Sequence, residues 1–238
     1  MNCKISATIP PAETIVESSI CENGAQLQYG HCQSDAEVLA SMQASAHEKL
    51  LFFSNKGKEK RERWVVSQFL QYYKLDFNKT ELVSPPQNSK TDVQFRDANF
   101  QIKEIINAGE KRSDEIRATY KCIKNASKLE EVIGPSFIYD IPPPTTIYSL
   151  VMDEAKRLAS IPKYANIRHE LDLIFYVTRT HAVPIQREEI CVKQLMQFGW
   201  RTISCLAGSQ ANVLFASEHA PVFLRERVTT NPSFERDA

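Results

Sequence analysis

Asp92, Gln101 and Lys103 are the residues of this chain whose types and spacing best suit a chemical reaction. Asp92 opens an alternating segment, Thr91-Asp92-Val93-Gln94-Phe95-Arg96. Eight residues separate it from Gln101, and Lys103 stands two further on in a second segment, Phe100-Gln101-Ile102-Lys103-Glu104-Ile105-Ile106. Strand side chains repeat every two residues, so Gln101 and Lys103 share a face, and a hairpin would bring that face beside Asp92. The chemistry that uses such a set is metal-assisted phosphodiester hydrolysis. Oxygen ligands hold Mg²⁺ or Mn²⁺, the ion polarises the phosphate and activates water, and a lysine positions that water or stabilises charge developing on the phosphoryl oxygens. Asp92, Gln101 and Glu62 are the candidate metal ligands, and Lys103 is the candidate catalytic lysine. Glu62 enters because it interrupts an apolar stripe of Val65, Val66, Phe69, Leu70 and Tyr73 at helical spacing. A carboxylate there is out of place unless something nearby needs its charge.

The elements that must position these residues follow from periodicity and punctuation. Ser34 followed by Glu37 fits a capping box and predicts a helix running to about residue 53, with Gly57 interrupting before a second helix over 58–75. After the turn-rich 84–89, a hairpin is predicted, with Asp97-Ala98-Asn99 as its turn residues and Asn107-Ala108-Gly109 closing it. A charged helix over 111–132 follows, ended by Gly134-Pro135, then a short strand over 137–141 and a helix over 147–159. Residues 171–177 are almost continuously apolar and predict a strand buried on both faces. A helix over 188–198 and strands over 202–206 and 212–216 complete an α/β order. Residues 1–33, with three glutamates against one lysine and no sustained period, are expected to form a loosely ordered arm, and 34–238 a single domain.

Composition narrows the classes. A chain of 238 residues that is 42 % hydrophobic and 24 % charged can bury a core. No uncharged apolar run approaches bilayer-spanning length and the first residues hold no signal-like segment, which predicts a cytoplasmic protein with no membrane partner. The six cysteines show no CxxC pairing and predict reduced structural thiols. Net charge is zero, with 29 basic and 29 acidic residues, so nucleic acid would be met by local patches rather than by the whole surface. Two are candidates: Lys56, Lys58, Lys60, Arg61 and Arg63 at the start of the Glu62 helix, and Arg117, Lys121, Lys124 and Lys128 at helical spacing later. A solvated helix face explains the second equally well. His169-Glu170-Leu171-Asp172 predicts a structural strand-end cluster, since no second histidine stands at ligand spacing, and Trp64 and Trp200 are expected in packing roles.

Helix, then Asp92, then eight residues, then Gln101-Ile102-Lys103 resembles the PD-(D/E)xK nuclease superfamily. The segment from Arg61-Glu62-Arg63-Trp64 through Asp92-Val93-Gln94-Phe95 to Phe100-Gln101-Ile102-Lys103-Glu104 is also similar to a group of bacterial proteins described as endonucleases. The resemblance implies a restriction-endonuclease-like mixed β-sheet flanked by helices. It also implies that Asp92 and Gln101 bind metal, directly or through water, that Lys103 is the catalytic lysine and that Glu62 is the helix acid some members supply. Thr91 stands where the signature has proline, and Gln101 where it has an acid, which removes a negative charge and weakens metal affinity. Glu104, next along, is expected on the other strand face. A metal-dependent endonuclease cutting DNA is the leading expectation. A nucleic-acid-binding or scaffolding module of the same fold without turnover is the rival, and a structural Asp92–Lys103 ion pair in an unrelated α/β protein is the third reading. RNA stays open as a substrate, and nothing in the chain decides between a monomer and a homodimer.

Overall fold

The computed structural model describes residues 34–86, 88–106, 112–132, 145–178 and 182–229. The expected arm over 1–33, the closing turn at 107–109, the Gly134-Pro135 stop and the strand over 137–141 lie outside the described residues. The chain divides into two compact units, Met1–Leu51 with Lys111–Ile138, and Phe52–Glu110 with Tyr139–Ala238. Among the described residues no helix is long and apolar enough to cross a membrane.

In the first unit, α1 (Asp35–Phe52) begins as its capping signal predicts: the Ser34 N–H donates to Glu37 Oε2 at 2.8 Å, and the Glu37 N–H to Ser34 Oγ at 3.4 Å. Leu39 and Ala46 pack with Ile123 of α3 (Arg112–Asn125) and with Val132. Gln43 Nε2 donates to the carbonyls of Ile123 and Ala126 at 3.2 and 3.3 Å, adding a side-chain donor at the C-terminal end of α3. That helix stops at Asn125, short of the expected 132, and a 3-10 turn follows at Leu129–Glu131.

The second unit is a mixed α/β structure around a five-stranded sheet. Its strands are β1 (Val93–Phe95), β2 (Ala98–Ile105), β3 (Asp172–Val177), β4 (Thr202–Ala207) and β5 (Gln210–Ala216), in that spatial order. The central three are parallel, and β1 and β5 run antiparallel at the edges. The hairpin turn is Arg96–Asp97, one residue earlier than the turn residues suggested. Arg96 has φ +52°, a left-handed conformation that a non-glycine residue tolerates at a two-residue turn, and its guanidinium donates to the Asp76 carbonyl at 2.7 Å.

Both sheet faces are covered, which explains the apolar run of β3. On one face α2 (Lys58–Tyr72) lays Val65, Val66, Phe69 and Leu70, all fully buried, against Phe100, Ile174 and Val213. On the other, α4 (Ile147–Ala159) and α5 (Val192–Gln197) pack Val151, Ala155, Leu158 and Leu195 against Leu173, Phe175 and Ile203. α4 is capped by Thr146, whose Oγ1 accepts the Ser149 N–H at 3.0 Å. The helix expected over 188–198 is divided: a 3-10 turn at Arg187–Glu189 precedes the shorter α5. Trp200 is buried and donates Nε1–H to the Ala155 carbonyl at 3.3 Å. Trp64 meets Phe52 and Tyr176 edge-on at 5.8 and 5.7 Å.

Candidate active site

Asp92 owes its position to the shortness of β1. Antiparallel pairing runs from Phe95↔Ala98 to Val93↔Phe100, and past Phe100 the β1 side of β2 has no strand opposite it. The Asp92 N–H still donates to the Phe100 carbonyl at 2.8 Å. Its carboxylate then takes the next edge donor: Oδ2 accepts the Ile102 N–H at 2.9 Å. An unpaired edge donor is a cost that a longer strand would have removed, and here a side chain removes it.

Glu62 approaches from α2. Only 7 % exposed, it lies among the stripe residues that bury α2 on the sheet. The Lys58 ammonium joins it to Asp92, standing 3.3 Å from Glu62 Oε1 and 3.4 Å from Asp92 Oδ1. Burial, reinforced by the neighbouring Asp92 charge, pushes the Glu62 carboxyl up to about 7 against the pull of Lys58. Burial draws the Lys58 ammonium down, yet the two carboxylates outweigh it and hold its pKa above the ordinary value.

Lys58, Glu62, Asp92 and Lys103 line one cavity of about 190 Å³, together with Arg61, Val65, Ile102, Glu104 and Tyr176. A neighbouring groove of about 510 Å³ shares Lys58, Arg61, Glu62 and Asp92 and continues past Lys56, Ser84, Ser89 and Thr91. Among the described residues Lys103 has no carboxylate within ion-pair distance, so the Asp92–Lys103 ion pair of the third reading is not formed. The lysine that pairs with Asp92 is Lys58.

Gln101 departs from its expected role. It is 3 % exposed and does not line the cavity. Its Nε2–H donates to Asp92 Oδ2, and its Oε1 accepts from the buried Tyr164 hydroxyl at 3.2 Å. The nitrogen of the amide thus holds Asp92, and its oxygen is held in turn by Tyr164. Glu104 departs in the opposite sense. It lines the cavity, and its Oε1 accepts from Thr178 Oγ1 at 2.9 Å. Alternation placed the two residues on different faces correctly, but the cavity opens beside Ile102 and Glu104, toward α2. Tyr164 carries no local sequence signal for its part, because it reaches the hairpin from 63 residues away.

The basic candidates separate. Lys58 and Arg61 line both cavities, Lys56 lines the groove, and Lys60 is exposed and lines neither. Arg61 donates to the Phe52 carbonyl at 2.7 Å, and burial lowers its pKa, so part of its hydrogen-bonding capacity goes to pinning the chain before α2. Arg117, Lys121 and Lys124 are exposed on α3, in the other unit. Arg117 pairs there with Asp114 at 3.6 Å. His169 is exposed beside Glu170, and Asp172 is buried in a structural cluster.

The donor set can be tested against a divalent cation. Among the described residues no group of three His, Cys, Asp or Glu side chains is arranged to hold a metal. Two carboxylates, Glu62 and Asp92, nonetheless meet at a common positive charge. Mg²⁺ is commonly held by one or two carboxylates, with water and substrate phosphate completing its shell, so the pair fits such an ion.

Residues 34–237 match the family described as "Putative endonuclease, protein of unknown function (DUF1780)". The chain belongs to the DUF1780 family. That description is of a nuclease-like family, and it is in keeping with an acidic pair and a lysine in the lining of one cavity. Among solved structures, a Pseudomonas aeruginosa strain PAO1 protein of unknown function, described as of the monooxygenase superfamily, is similar at 24 % identity and a TM-score of 0.51. The match covers 82 % of this chain and 93 % of that one. At that identity the likeness concerns the fold of this DUF1780 member. No curated protein matches it.

Proposed function

We propose that this protein is a divalent-metal-dependent endonuclease that hydrolyses phosphodiester bonds of DNA, built on a restriction-endonuclease-like fold. The observation that carries the reading is the meeting of Glu62 and Asp92, from a helix and a hairpin, at the Lys58 ammonium in an open cavity whose lining includes Lys103. The family description and the mixed sheet flanked by helices support it.

Glu62 and Asp92 would hold Mg²⁺ or Mn²⁺, which when bound supplies Lewis-acid charge at the phosphate and a more acidic water. Asp92 is oriented for this by the Ile102 N–H and by Gln101, itself fixed by Tyr164. The Lys103 ammonium, uncommitted to any carboxylate among the described residues, orients the attacking water or stabilises charge on the phosphoryl oxygens. Lys56, Lys58 and Arg61 contact backbone phosphates along the groove, which positions a strand without reading its sequence. Lys60, Arg117, Lys121 and Lys124 lie outside the two cavities and carry no part of this reading.

Incubation with supercoiled plasmid and Mg²⁺ or Mn²⁺ tests it. Nicking that falls by about 10²-fold or more in Lys103→Ala and in Asp92→Ala, with circular dichroism unchanged, is the expected result. Cleavage that survives both substitutions would falsify the assignment. The rival, a binding module without turnover, is favoured by the neutral Gln101 and by the ammonium between the acids. Calorimetric titration with Mn²⁺ separates the two: DNA binding with no heat at millimolar metal selects the module.

A further inference from the structure

The two acids of the cavity are held differently from the cation between them. The Asp92 side chain is 11 % exposed and anchored by the Ile102 N–H and the Gln101 amide, and that of Glu62 is 9 % exposed on a helix packed onto the sheet. The Lys58 side chain is 60 % exposed, on a flexible four-carbon stem at the first position of α2. The acids are the fixed part of the cluster and the ammonium is the part free to move. Lys58 also borders both spaces, the cavity that contains Lys103 and the groove along Lys56, Ser84, Ser89 and Thr91. Arg61 borders both as well, but its guanidinium is tied to the Phe52 carbonyl.

We propose that Lys58 is an internal counter-ion, which yields the Glu62–Asp92 pair to a divalent cation and then takes a phosphate of the incoming strand in the groove. Metal and polyanion thereby bind cooperatively. This rests on the nuclease reading above and adds how that site loads. An ammonium and a divalent cation draw on the same carboxylate oxygens and repel each other, so occupation by one disfavours the other. With the cation absent, Lys58 offsets two clustered carboxylates. With it bound, the displaced ammonium lies beside Lys56 and the hydroxyls of Ser84, Ser89 and Thr91, a setting suited to a phosphate. Because coupling between two ligands is reciprocal, metal must strengthen strand binding by the factor by which the strand strengthens metal binding.

The test is calorimetric titration of the full chain with Mn²⁺ alone, for wild type, Lys58→Met and Lys58→Arg. Lys58→Met should bind Mn²⁺ roughly fivefold more tightly, the release of two partly solvated ion pairs. Lys58→Arg should stay near wild type. In a Lys103→Ala background, anisotropy of a labelled single-stranded oligonucleotide should show Mn²⁺ tightening binding, and the gain should vanish when Lys58→Met is added. Equal or weaker Mn²⁺ affinity in Lys58→Met overturns the role of Lys58 while leaving the nuclease reading intact. If neither wild type nor Lys58→Met takes up Mn²⁺, both fall. Lys58→Ala, read by the same titration, guards against a packing effect of methionine.

Discussion

Two carboxylates flank β2, and their surroundings differ in kind. Asp172, at the start of β3, is fully buried and accepts from the Arg201 guanidinium, the Asn99 N–H at 2.8 Å and Thr202 Oγ1 at 3.1 Å. Burial pushes its carboxyl up, and Arg201 pulls the other way. Asp92 faces a cavity, shares an exposed lysine with Glu62, and leaves a second acid without a counter-charge of its own. A closed cluster satisfies every oxygen within the fold and so acts on stability. An open one keeps charge unbalanced at a place solvent and ligands can reach, where perturbed ionisation accompanies function.

The sharpest contrast comes from deleting each acid. Asp172→Ala takes the acceptor from the partly buried Arg201 guanidinium, the Asn99 N–H and the buried Thr202 hydroxyl together, and should cost about 3–5 kcal/mol in chemical denaturation. A cost below about 1 kcal/mol would erase the distinction between the clusters. Tyr164→Phe comes next. It strips the buried Gln101 Oε1 of its donor and should cost about 1–3 kcal/mol by the same measurement, with cleavage reduced because Asp92 loses its support. A stability loss with unaltered cleavage would make Tyr164 purely structural. Asp92→Ala should cost about 1–2 kcal/mol, since it gives up the Ile102 N–H and leaves the buried Gln101 Nε2 without its acceptor but also relieves the crowding of two acids. A loss as large as that of Asp172→Ala would show that the open cluster is part of the scaffold.

The smallest effect is one of slope. With its folded pKa raised to about 7 from an ordinary 4.5, Glu62 binds a proton more tightly in the folded chain than in the unfolded one. Its contribution to stability is full below pH 4.5 and is withdrawn as pH climbs from there through 7. Glu62→Gln should flatten that decline, seen as urea midpoints at pH 5 and pH 8 that lie closer together than in wild type. Parallel midpoints in the two proteins would mean that Lys58 already balances the carboxylate.

Much of this molecule was legible in order. The capping signal of Ser34 and Glu37, the apolar stripe of α2, the hairpin and the doubly buried β3 all follow from local chemistry, because caps and periodicity are set within a few residues. The burial of Glu62 among hydrophobic neighbours was visible as an anomaly, and the cavity supplies its reason. Helices α3 and α5 are shorter than their sequence pattern predicts, since charged or mixed segments continue a helical pattern without saying where tertiary packing stops rewarding it.

Spacing alone determined that Asp92, Gln101 and Lys103 would gather on one hairpin, because a strand's two-residue repeat is intrinsic to its backbone. Which of them would face open space was decided only in three dimensions. Helix α2 covers one side of the sheet and leaves room at its end, while Tyr164 fills the other side and takes Gln101 into the interior. Lys58 between two acids, Glu104 at the cavity wall and Gln101 as a support for Asp92 are products of contacts between distant stretches of chain, to which no local pattern refers.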